Sequence, residues 1–411
     1  MIPAQRLGHA GHHRAQEAYS HMAKPRPDSS HGLQASVFAL VSAAFTTIYI
    51  TQPVLPVIQQ SYRVSASQAS MTISAVIFGI TLANLPFGAL ADRWRIRPII
   101  LIGALMVVGG NTLCALTSDF QGLVAARFVQ GLFIPALTTC LAAFLSRHLP
   151  PERLNVVMGT YVAATVAGGL GGRLLGGLFY PAVSWRWAFA AASILVAAAC
   201  GTAWRWLPRE KATRGGPAAT LGFLQLLMQP PLRKNYLVAF SAFFVFSSIF
   251  NYLPFYLSGP LFNAPTRTIT LMYLAYLMGI VIGPLSGQLS NRFGNGRTMA
   301  VGAVTFGLSL GATLYPSLWI VIIGLVGICA GFFTVHAAAA GWLNRNLVSS
   351  RGRANALYVL FYYAGGSCGI TASGMVYEAF AWPGVAGIGA IMLLVPLWIG
   401  LRGLGTGEAA Q

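Results

Sequence analysis

Long uncharged apolar runs alternate with short basic segments over most of the 411 residues. Only 8% of the residues are charged, against roughly 25% in an ordinary soluble domain. Such a chain cannot cover a water-facing surface with charge, so we predict an integral membrane protein. Backbone polar groups in hydrocarbon must be satisfied within their own segment. Each apolar run of about 20 residues therefore predicts one membrane-spanning helix.

Twelve such runs, here called spans one to twelve, are divided six and six by a polar stretch. They cover residues 35–57, 68–90, 98–116, 121–144, 155–178, 186–204, 235–257, 268–289, 298–315, 317–341, 354–376 and 384–403. The predicted fold class is an all-α membrane protein with twelve transmembrane helices. The predicted parts are a cytoplasmic tail (1–33), a six-helix bundle (34–204), a central cytoplasmic loop (205–234), a second six-helix bundle (235–404) and a short cytoplasmic tail (405–411).

The distribution of basic residues predicts the orientation. If the N-terminus lies inside, 21 of the 26 Lys and Arg residues fall in cytoplasmic segments and three, Arg63, Arg186 and Arg267, fall in external loops. Lys and Arg are retained on the cytoplasmic side, so we predict that both termini are cytoplasmic. The net charge of +18 reflects only eight acids, without a basic aromatic-rich helix, so we expect no nucleic-acid partner.

The first 33 residues are polar and lack the apolar core of a signal peptide, so we predict a disordered tail. A metal site at His12 and His13 is the alternative for this segment, and Met22 is an alternative start. We expect no metal and no cofactor elsewhere, because the cysteines lie inside apolar runs without paired spacing. They are interpreted as packing residues: Cys114, Cys140, Cys200, Cys329 and Cys368.

A short motif is repeated between the halves. Residues 88–94, GALADRW, begin at the end of span two, and residues 287–293, GQLSNRF, begin at the end of span eight. Duplicated halves with a site between them near the membrane midplane are typical of secondary transporters.

Residues 88–97, GALADRWRIR, resemble the loop signature of the major facilitator superfamily. The resemblance covers about residues 35–404 and implies two pseudo-symmetric six-helix bundles. Arg95 stands where the signature has glycine, whereas the second copy keeps Gly294 but replaces the acid with Asn291.

An acid among arginines at a helix end predicts a latch that holds one conformation. Its predicted members are Gly88, Asp92, Arg93 and Arg97. A basic loop that only sets the orientation is the alternative for these residues.

Arg127, early in span four, begins a string that resembles the superfamily's Arg-x-x-Gln-Gly element. A buried arginine is costly in lipid, so we expect it to face the protein interior or a water-filled cavity. The resemblance to antiporters implies a role in proton coupling. The alternative is a charge that snorkels to the external surface.

Span five carries glycines with the spacing of the drug:proton antiporter branch, and we expect them to form a smooth face for close helix packing. Arg173 occupies the position of that motif's proline and could attract an anionic substrate if it reaches the cavity. The glycines are Gly159, Gly168, Gly172, Gly176 and Gly177.

Polar and aromatic groups lie beside prolines at matching places in spans one and seven, as expected for a substrate site between broken or bent helices. The string from Tyr49 to Pro53 also resembles the arabinose-efflux-permease and YnfM-like exporters. Interfacial aromatics with proline kinks are the alternative. The predicted cavity residues are Tyr49, Gln52, Asn251, Tyr252, Arg127 and Arg173.

Glu378 lies near the outer end of span eleven, and no other acid lies in a predicted span, so a carboxylate to carry a coupled proton has no obvious position. The proton-coupling candidates are Arg127, His336 and Asp92. For His336 the alternative is a satisfied packing residue.

The resemblance implies a monomeric alternating-access carrier in the lipid bilayer of a bacterial inner membrane, with a proton gradient that drives efflux of small, partly apolar molecules or drugs. Uptake or facilitated diffusion of a small, possibly anionic, metabolite is the alternative. A membrane enzyme or receptor is more remote. An enzyme would need a clustered catalytic constellation and a receptor a sizeable soluble domain, and the sequence has neither.

Overall fold

A computed structural model describes residues 28–91, 93–149, 151–207, 222–347 and 350–404. The described residues are almost entirely helical, and nine of their helices are long and apolar enough to cross a membrane by length and composition. The last of these, Gly352–Arg402, is long enough for two spans. Two further helices, Pro151–Leu178 and Asn295–Ala312, correspond to predicted spans five and nine. The twelve predicted spans are all helical. Residues 1–27 of the predicted N-terminal tail (1–33), the tail at 405–411, residues 208–221 of the predicted central loop (205–234) and Asp92 lie outside the described residues. Residues 28–33, assigned to the disordered tail by the sequence, belong instead to the first helix, Asp28–Tyr49.

The N-terminal half contains spans one to six. Span one has three parts, Asp28–Tyr49, a 3₁₀ turn at Gln52–Val54 and Leu55–Tyr62, and span four has two, Phe120–Leu137 and Thr139–His148. The other spans are continuous: Ala66–Ala91, Ile96–Leu116, Pro151–Leu178 and Arg186–Trp206.

The C-terminal half begins with a short helix, Phe223–Met228. Span eight has three parts, Thr266–Met272, a 3₁₀ turn at Tyr273–Leu277 and Met278–Phe293, and spans eleven and twelve lie in Arg351–Arg402. The continuous spans are Pro230–Ser258 (seven), Asn295–Ala312 (nine) and Leu318–Asn346 (ten).

The helix breaks only partly follow the expected symmetry. Span one breaks just before Pro53, which has no N–H to donate to the preceding turn. Span seven, by contrast, continues through Pro254, and the break in the C-terminal half lies in span eight. No loop separates spans eleven and twelve. The chain turns there at Ala381, with φ 51° and ψ −145°.

Glycines allow span five to contact the backbone of span one. A methyl group on Gly168, Gly172 or Gly176 would collide with the carbonyl oxygen of Ser42, Thr46 or Ile50, respectively. The Thr46 hydroxyl in turn donates a hydrogen bond of 3.2 Å to the Gly168 carbonyl oxygen. In lipid the hydrophobic effect does not drive helices together, so close van der Waals packing through small residues stabilises their association instead.

The other two glycines of the motif have different surroundings. Gly177 abuts Thr270 of span eight, in the other half of the protein. Gly159 has no neighbouring atom within 4 Å of the position that a Cβ would occupy. Only part of the motif therefore packs against span one.

A matching contact in the C-terminal half was not predicted. A methyl group on Gly365 or Gly369 of span eleven would collide with the carbonyl oxygen of Phe240 or Phe244 of span seven. Spans five and eleven therefore use the same device against spans one and seven.

We predict opposite effects of alanine at two glycines of span five. Gly172→Ala should destabilise the protein by ~1–3 kcal/mol because the new methyl group separates spans one and five. The control Gly159→Ala has room for the methyl group and should stabilise the helix by roughly 0.5–1 kcal/mol. Thermal unfolding in detergent measures both. Equal melting temperatures for the two variants would contradict this packing.

The turn at Ala381 generates a second prediction. A positive φ at a residue with a Cβ costs on the order of 1–3 kcal/mol, so Ala381→Gly should raise the melting temperature. The control Ala379→Gly, in regular helix two residues earlier, should lower it. A lower melting temperature for Ala381→Gly would show that the residue is not strained.

Candidate functional site

Arg127 is fully buried and joins three helices of the N-terminal half. Its Nε donates to the Thr72 carbonyl oxygen at 2.8 Å, and its Nη1 and Nη2 donate to the carbonyl oxygens of Thr47 at 2.8 Å and Ile48 at 2.5 Å. A further bond of 2.7 Å runs from Nη1 to the Gln130 side chain. The guanidinium therefore holds the end of the first part of span one against spans two and four.

The break in span one explains this arrangement. The last turn of a helix leaves carbonyl oxygens without intrahelical donors, and a buried helix end needs donors from elsewhere. Arg127 supplies them at Thr47 and Ile48. Gln130 extends the network, because its Nε2 donates to Oδ1 of Asn111 at 2.7 Å. All the hydrogen bonds of Arg127 are to residues of the N-terminal half.

Arg173 is also buried, with 1% of its surface exposed, but it lies at the contact between the halves. Its Nε donates to Oε1 of Gln52 at 2.7 Å and its Nη1 to the Gly169 carbonyl oxygen at 2.6 Å. Its Nη2 donates to the Tyr276 hydroxyl of span eight at 2.8 Å. One guanidinium therefore contacts both six-helix bundles.

Aromatic rings surround this guanidinium. Its Cζ lies 4.0 Å from the ring centre of Tyr49, 4.1 Å from that of Tyr276 and 5.2 Å from that of Tyr273. Cation–π contacts of this kind stabilise a charge that has lost its water. Three of the six predicted cavity residues, Tyr49, Gln52 and Arg173, thus lie together.

Tyr276 connects Arg173 to a group of stacked rings in the C-terminal half, here called the aromatic cluster. The Phe246 ring centre lies 5.2 Å from that of Tyr276 and 3.8 Å from that of Phe332. Phe243 stacks on Tyr362 at 3.8 Å. The aromatic cluster consists of Phe243, Phe246, Phe250, Tyr276, Phe332 and Tyr362.

His336 lies at the far side of the aromatic cluster. Its ring is parallel to that of Phe332, with centres 5.8 Å apart, and the Tyr358 hydroxyl lies 3.0 Å from its Nδ1. The imidazole is half-buried. The cluster is thus bordered by a guanidinium on one side and an imidazole on the other.

The predicted cavity residues of span seven face elsewhere. Tyr252 donates a hydrogen bond of 3.0 Å to the Ile370 carbonyl oxygen and stacks on Tyr377 of span eleven. Asn251 is fully buried, and neither of its amide atoms has a partner among the described residues. Span seven contributes its phenylalanines, not these two residues, to the aromatic cluster.

The predicted latch is described only in part, because Asp92 lies outside the described residues. A methyl group on Gly88 would lie 4.0 Å from Cγ2 of Thr139, so the position has room for a side chain. The Arg93 side chain is exposed, and Arg97 donates to the Leu207 carbonyl oxygen and lies over the Trp204 ring.

The two motif copies differ for a conformational reason. Arg95 replaces a glycine but has φ −68°, which any residue adopts, whereas Gly294 has φ 86°. In the second copy Asn291 accepts a hydrogen bond from Arg345.

The site carries the positive charge of Arg173 without an acid bonded to it among the described residues. The acids whose side chains the structure describes, Asp119 and Glu378, accept hydrogen bonds from the backbone amides of Gly122 and Ser67. Neither bonds to Arg127 or Arg173. The three bonds of Arg173 use one N–H at each nitrogen, so N–H groups on Nη1 and Nη2 remain without partners in the described part of the chain. This arrangement can bind a partly apolar ligand and attract a negative group.

The sequence interpretation did not single out Tyr276, Phe246 or Phe332. One signal was present: phenylalanines at 243, 246 and 250 recur at helical spacing in span seven. That pattern does not distinguish a packing stripe from a ligand-facing one, and only the fold brings Phe332 and Tyr276 against it.

Comparisons with known proteins agree with this architecture. The family model for the Major Facilitator Superfamily matches residues 37–295 and 261–406. The uncharacterised MFS-type transporter YybF of Bacillus subtilis is 27% identical over 372 residues, which cover 88% of this chain and 91% of YybF. The inner membrane transport protein YnfM of Escherichia coli is 28% identical over 372 residues, 89% of each chain.

Solved structures share the fold at low identity. The human organic anion transporter MFSD10 superposes with a TM-score of 0.71 at 16% identity, over 90% of this chain and 99% of that one. A point mutant of the nucleoside transporter NupG gives a TM-score of 0.74 at 11% identity, over the same shares.

The twelve helices thus form the two pseudo-symmetric six-helix bundles of the major facilitator fold, as predicted. Both of these relatives are named as transporters, and this chain has the multi-pass helical architecture of a membrane transporter. The chain belongs to the Major Facilitator Superfamily.

Proposed function

We propose that the chain exports small, partly apolar molecules from the cytoplasm in exchange for protons by alternating access. The observation that supports this proposal best is the contact of Arg173 with Tyr276 at the edge of the aromatic cluster. Arg173 and Tyr276 are buried in this conformation. A ligand that reaches them when the halves move apart would touch both bundles, so its binding energy can differ between the two orientations of the halves. Aromatic walls with few fixed charges favour broad recognition of partly apolar substrates.

For proton coupling, His336 is the best-supported of the three candidates. Its imidazole borders the aromatic cluster and lies 3.0 Å from the Tyr358 hydroxyl, and an imidazole nitrogen can accept or release a proton. Arg127 is better explained as a positioning residue, because a guanidinium keeps its proton and this one is bonded to backbone carbonyls. Asp92 remains a proposal that rests on the loop motif alone.

A second candidate function is the uptake or facilitated diffusion of a small anion. It is favoured by the buried charge of Arg173, which has no acid bonded to it among the described residues. A buried cation without a counter-charge attracts an anionic ligand, because binding neutralises it. MFSD10, which has a similar fold, is an organic anion transporter.

The proposal also includes a bacterial inner-membrane location, cytoplasmic termini, a monomer and bundles bounded at residues 34–204 and 235–404. The bias of Lys and Arg toward the predicted cytoplasmic loops supports the orientation. Resistance to drugs would follow if the exported molecules include them.

Proton exchange is tested with purified protein in liposomes. A thermal-shift screen of aromatic dyes and aromatic carboxylates first selects a transported probe. If protons are exchanged, an acidic lumen should drive probe accumulation, and a protonophore should abolish it. Counterflow without a gradient is the control for intact protein. Probe uptake that is indifferent to the pH gradient would refute antiport and leave facilitated diffusion.

The Arg173 site is tested with matched probes. Arg173→Gln should weaken binding of an aromatic carboxylate about tenfold or more, because a charge-assisted hydrogen bond is lost, and should change binding of a neutral analogue much less. Arg186→Gln is the control, since Arg186 bonds to Tyr62 and Thr117 away from the aromatic cluster. Equal losses for both probes would show that Arg173 only supports the fold.

A further inference from the structure

A groove on the outside of the N-terminal half, here called the lateral groove, runs between spans two and four. It encloses a volume of about 550 Å³, and span two lines it with Gln68, Met71, Ala75 and Phe78. These residues recur at helical spacing and so share one face of the helix. Met71 and Phe78 are exposed, so the described part of the chain does not cover this face. The lateral groove therefore opens toward the surrounding lipid.

Glycines set the inner end of the lateral groove, where the two spans touch. A methyl group on Gly79 would lie 2.6 Å from the Phe128 carbonyl oxygen, and one on Gly131 would lie 2.2 Å from the Val76 carbonyl oxygen. The rings of Phe78 and Phe128 meet at this level, with their centres 6.1 Å apart. Two aromatic side chains, one from each span, therefore close the groove at its inner end.

The lateral groove reaches about halfway across the membrane. Its outer end is at Gln68 and Gln121, which lie in the first turns of spans two and four, at the predicted external surface. Phe78 follows Gln68 by ten residues, and a rise of about 1.5 Å per residue makes this about 15 Å along the helix. The hydrocarbon core of a bilayer is roughly 30 Å thick. The groove is therefore about as deep as one leaflet.

The lining of the lateral groove fits a hydrocarbon chain with a polar group at its outer end. Apart from the two glutamines, every lining side chain is apolar, and none is charged. Oε1 of Gln68 accepts a hydrogen bond of 2.9 Å from the backbone amide of Ser65. Its Nε2, which is a donor, has no hydrogen-bond partner among the described residues. This nitrogen can therefore donate to an ester carbonyl oxygen of a lipid.

A second transmembrane helix fits this surface less well than a lipid chain. Helices associate in lipid through small residues, which let their backbones approach. Large side chains project here instead: Met71 and Phe78 are 43% and 48% exposed, and span four contributes Phe120 and Phe128. A helix that lay across these side chains would leave the space between them empty, whereas a flexible hydrocarbon chain can enter it.

We propose that the lateral groove binds one acyl chain of an outer-leaflet phospholipid, with the ester group at Gln68. Thr72, whose carbonyl oxygen accepts a hydrogen bond from Arg127, directly follows Met71 of the groove. Phe128 directly follows Arg127. A chain that packs against Met71 and Phe128 therefore stabilises the contact between spans two and four that Arg127 bonds together. The proposal uses the predicted orientation but needs neither proton exchange nor a direction of transport.

Photo-cross-linking in liposomes tests where the chain binds. The probe is phosphatidylethanolamine with a diazirine in one acyl chain, and labelled peptides are identified by mass spectrometry. Labelling should be concentrated at residues 68–78 and 120–128, relative to the exposed residues of span twelve. Ala125→Phe places a ring in the groove and should lower the labelling of these two segments roughly threefold or more, because the chain loses packing contacts.

Ala390→Phe is the matched control for the added ring. Ala390 is exposed like Ala125, but it lies in span twelve and does not line the groove, so this variant should be labelled like the parent. Labelling of the groove segments that does not exceed that of span twelve would overturn the proposal. Labelling that is unchanged in Ala125→Phe would overturn it as well.

Thermal unfolding in detergent tests the effect of the bound chain on stability. Added phosphatidylethanolamine should raise the melting temperature of the parent and of Ala390→Phe by the same amount, and that of Ala125→Phe by less, because a ligand stabilises only the protein that binds it. Equal increases in all three proteins would contradict a stabilising role for the chain.

A further variant tests a second copy of the protein as the occupant. Met71→Cys is placed in a background in which Cys200 and Cys368, the described cysteines that are not fully buried, are replaced by serine. The protein should stay monomeric when native membranes are oxidised, and a disulfide-linked dimer would overturn the proposal. None of these measurements involves transport, so a failure of the proposed antiport would leave the lipid site intact.

Discussion

Every polar group inside the bilayer must find its partner within the protein, and this requirement shapes both the fold and the site. A break in span one, where residues 50 and 51 join its helical parts, exposes carbonyl oxygens at membrane depth. Arg127 bonds to two of them and to span two, so the break becomes a fixed junction of three helices. The glycines of span five then bring its backbone against the same region of span one. The break, the arginine and the glycines are thus one structural unit.

A second buried arginine is used differently. Arg173 bonds to Gln52 on its own side and to Tyr276 across the interface, within a ring of tyrosines. Its positive charge is balanced by dipoles and aromatic faces, not by a bonded acid in the described residues. Such a contact joins the halves without a buried ion pair in the described residues, whose rupture would be costly in each transport cycle. A ligand that binds beside Tyr276 would compete for the same guanidinium.

The sequence predicted the transmembrane helices best, because the bilayer requires each spanning segment to be long, apolar and helical. Hydrophobic run length and the absence of charge predicted all twelve spans, and the loop motif and span-five glycines predicted the family. The structure brings only some of the predicted site residues together. Tyr49, Gln52 and Arg173 do meet, but Asn251 and Tyr252 do not join them. Their position beside Pro254 was expected to mark a break, whereas the break lies in span eight, where the 3₁₀ turn at Tyr273–Leu277 presents Tyr276. Tertiary packing decides which face of an apolar helix meets the partner half, and sequence periodicity does not specify that in lipid.

The central claim is that the two bundles separate at the Arg173 end during transport. Gly177 of span five and Thr270 of span eight touch across this interface, and a Cβ on Gly177 would lie 2.8 Å from the Thr270 Cβ. Cysteines at these two positions can form a disulfide after the two helices move apart by about 1 Å to the usual Cβ separation of roughly 3.8 Å. Transport by the doubly substituted protein should stop when the disulfide forms and return when it is reduced, while either single variant stays insensitive to oxidant. Undiminished transport by fully cross-linked protein would contradict alternating access between these halves.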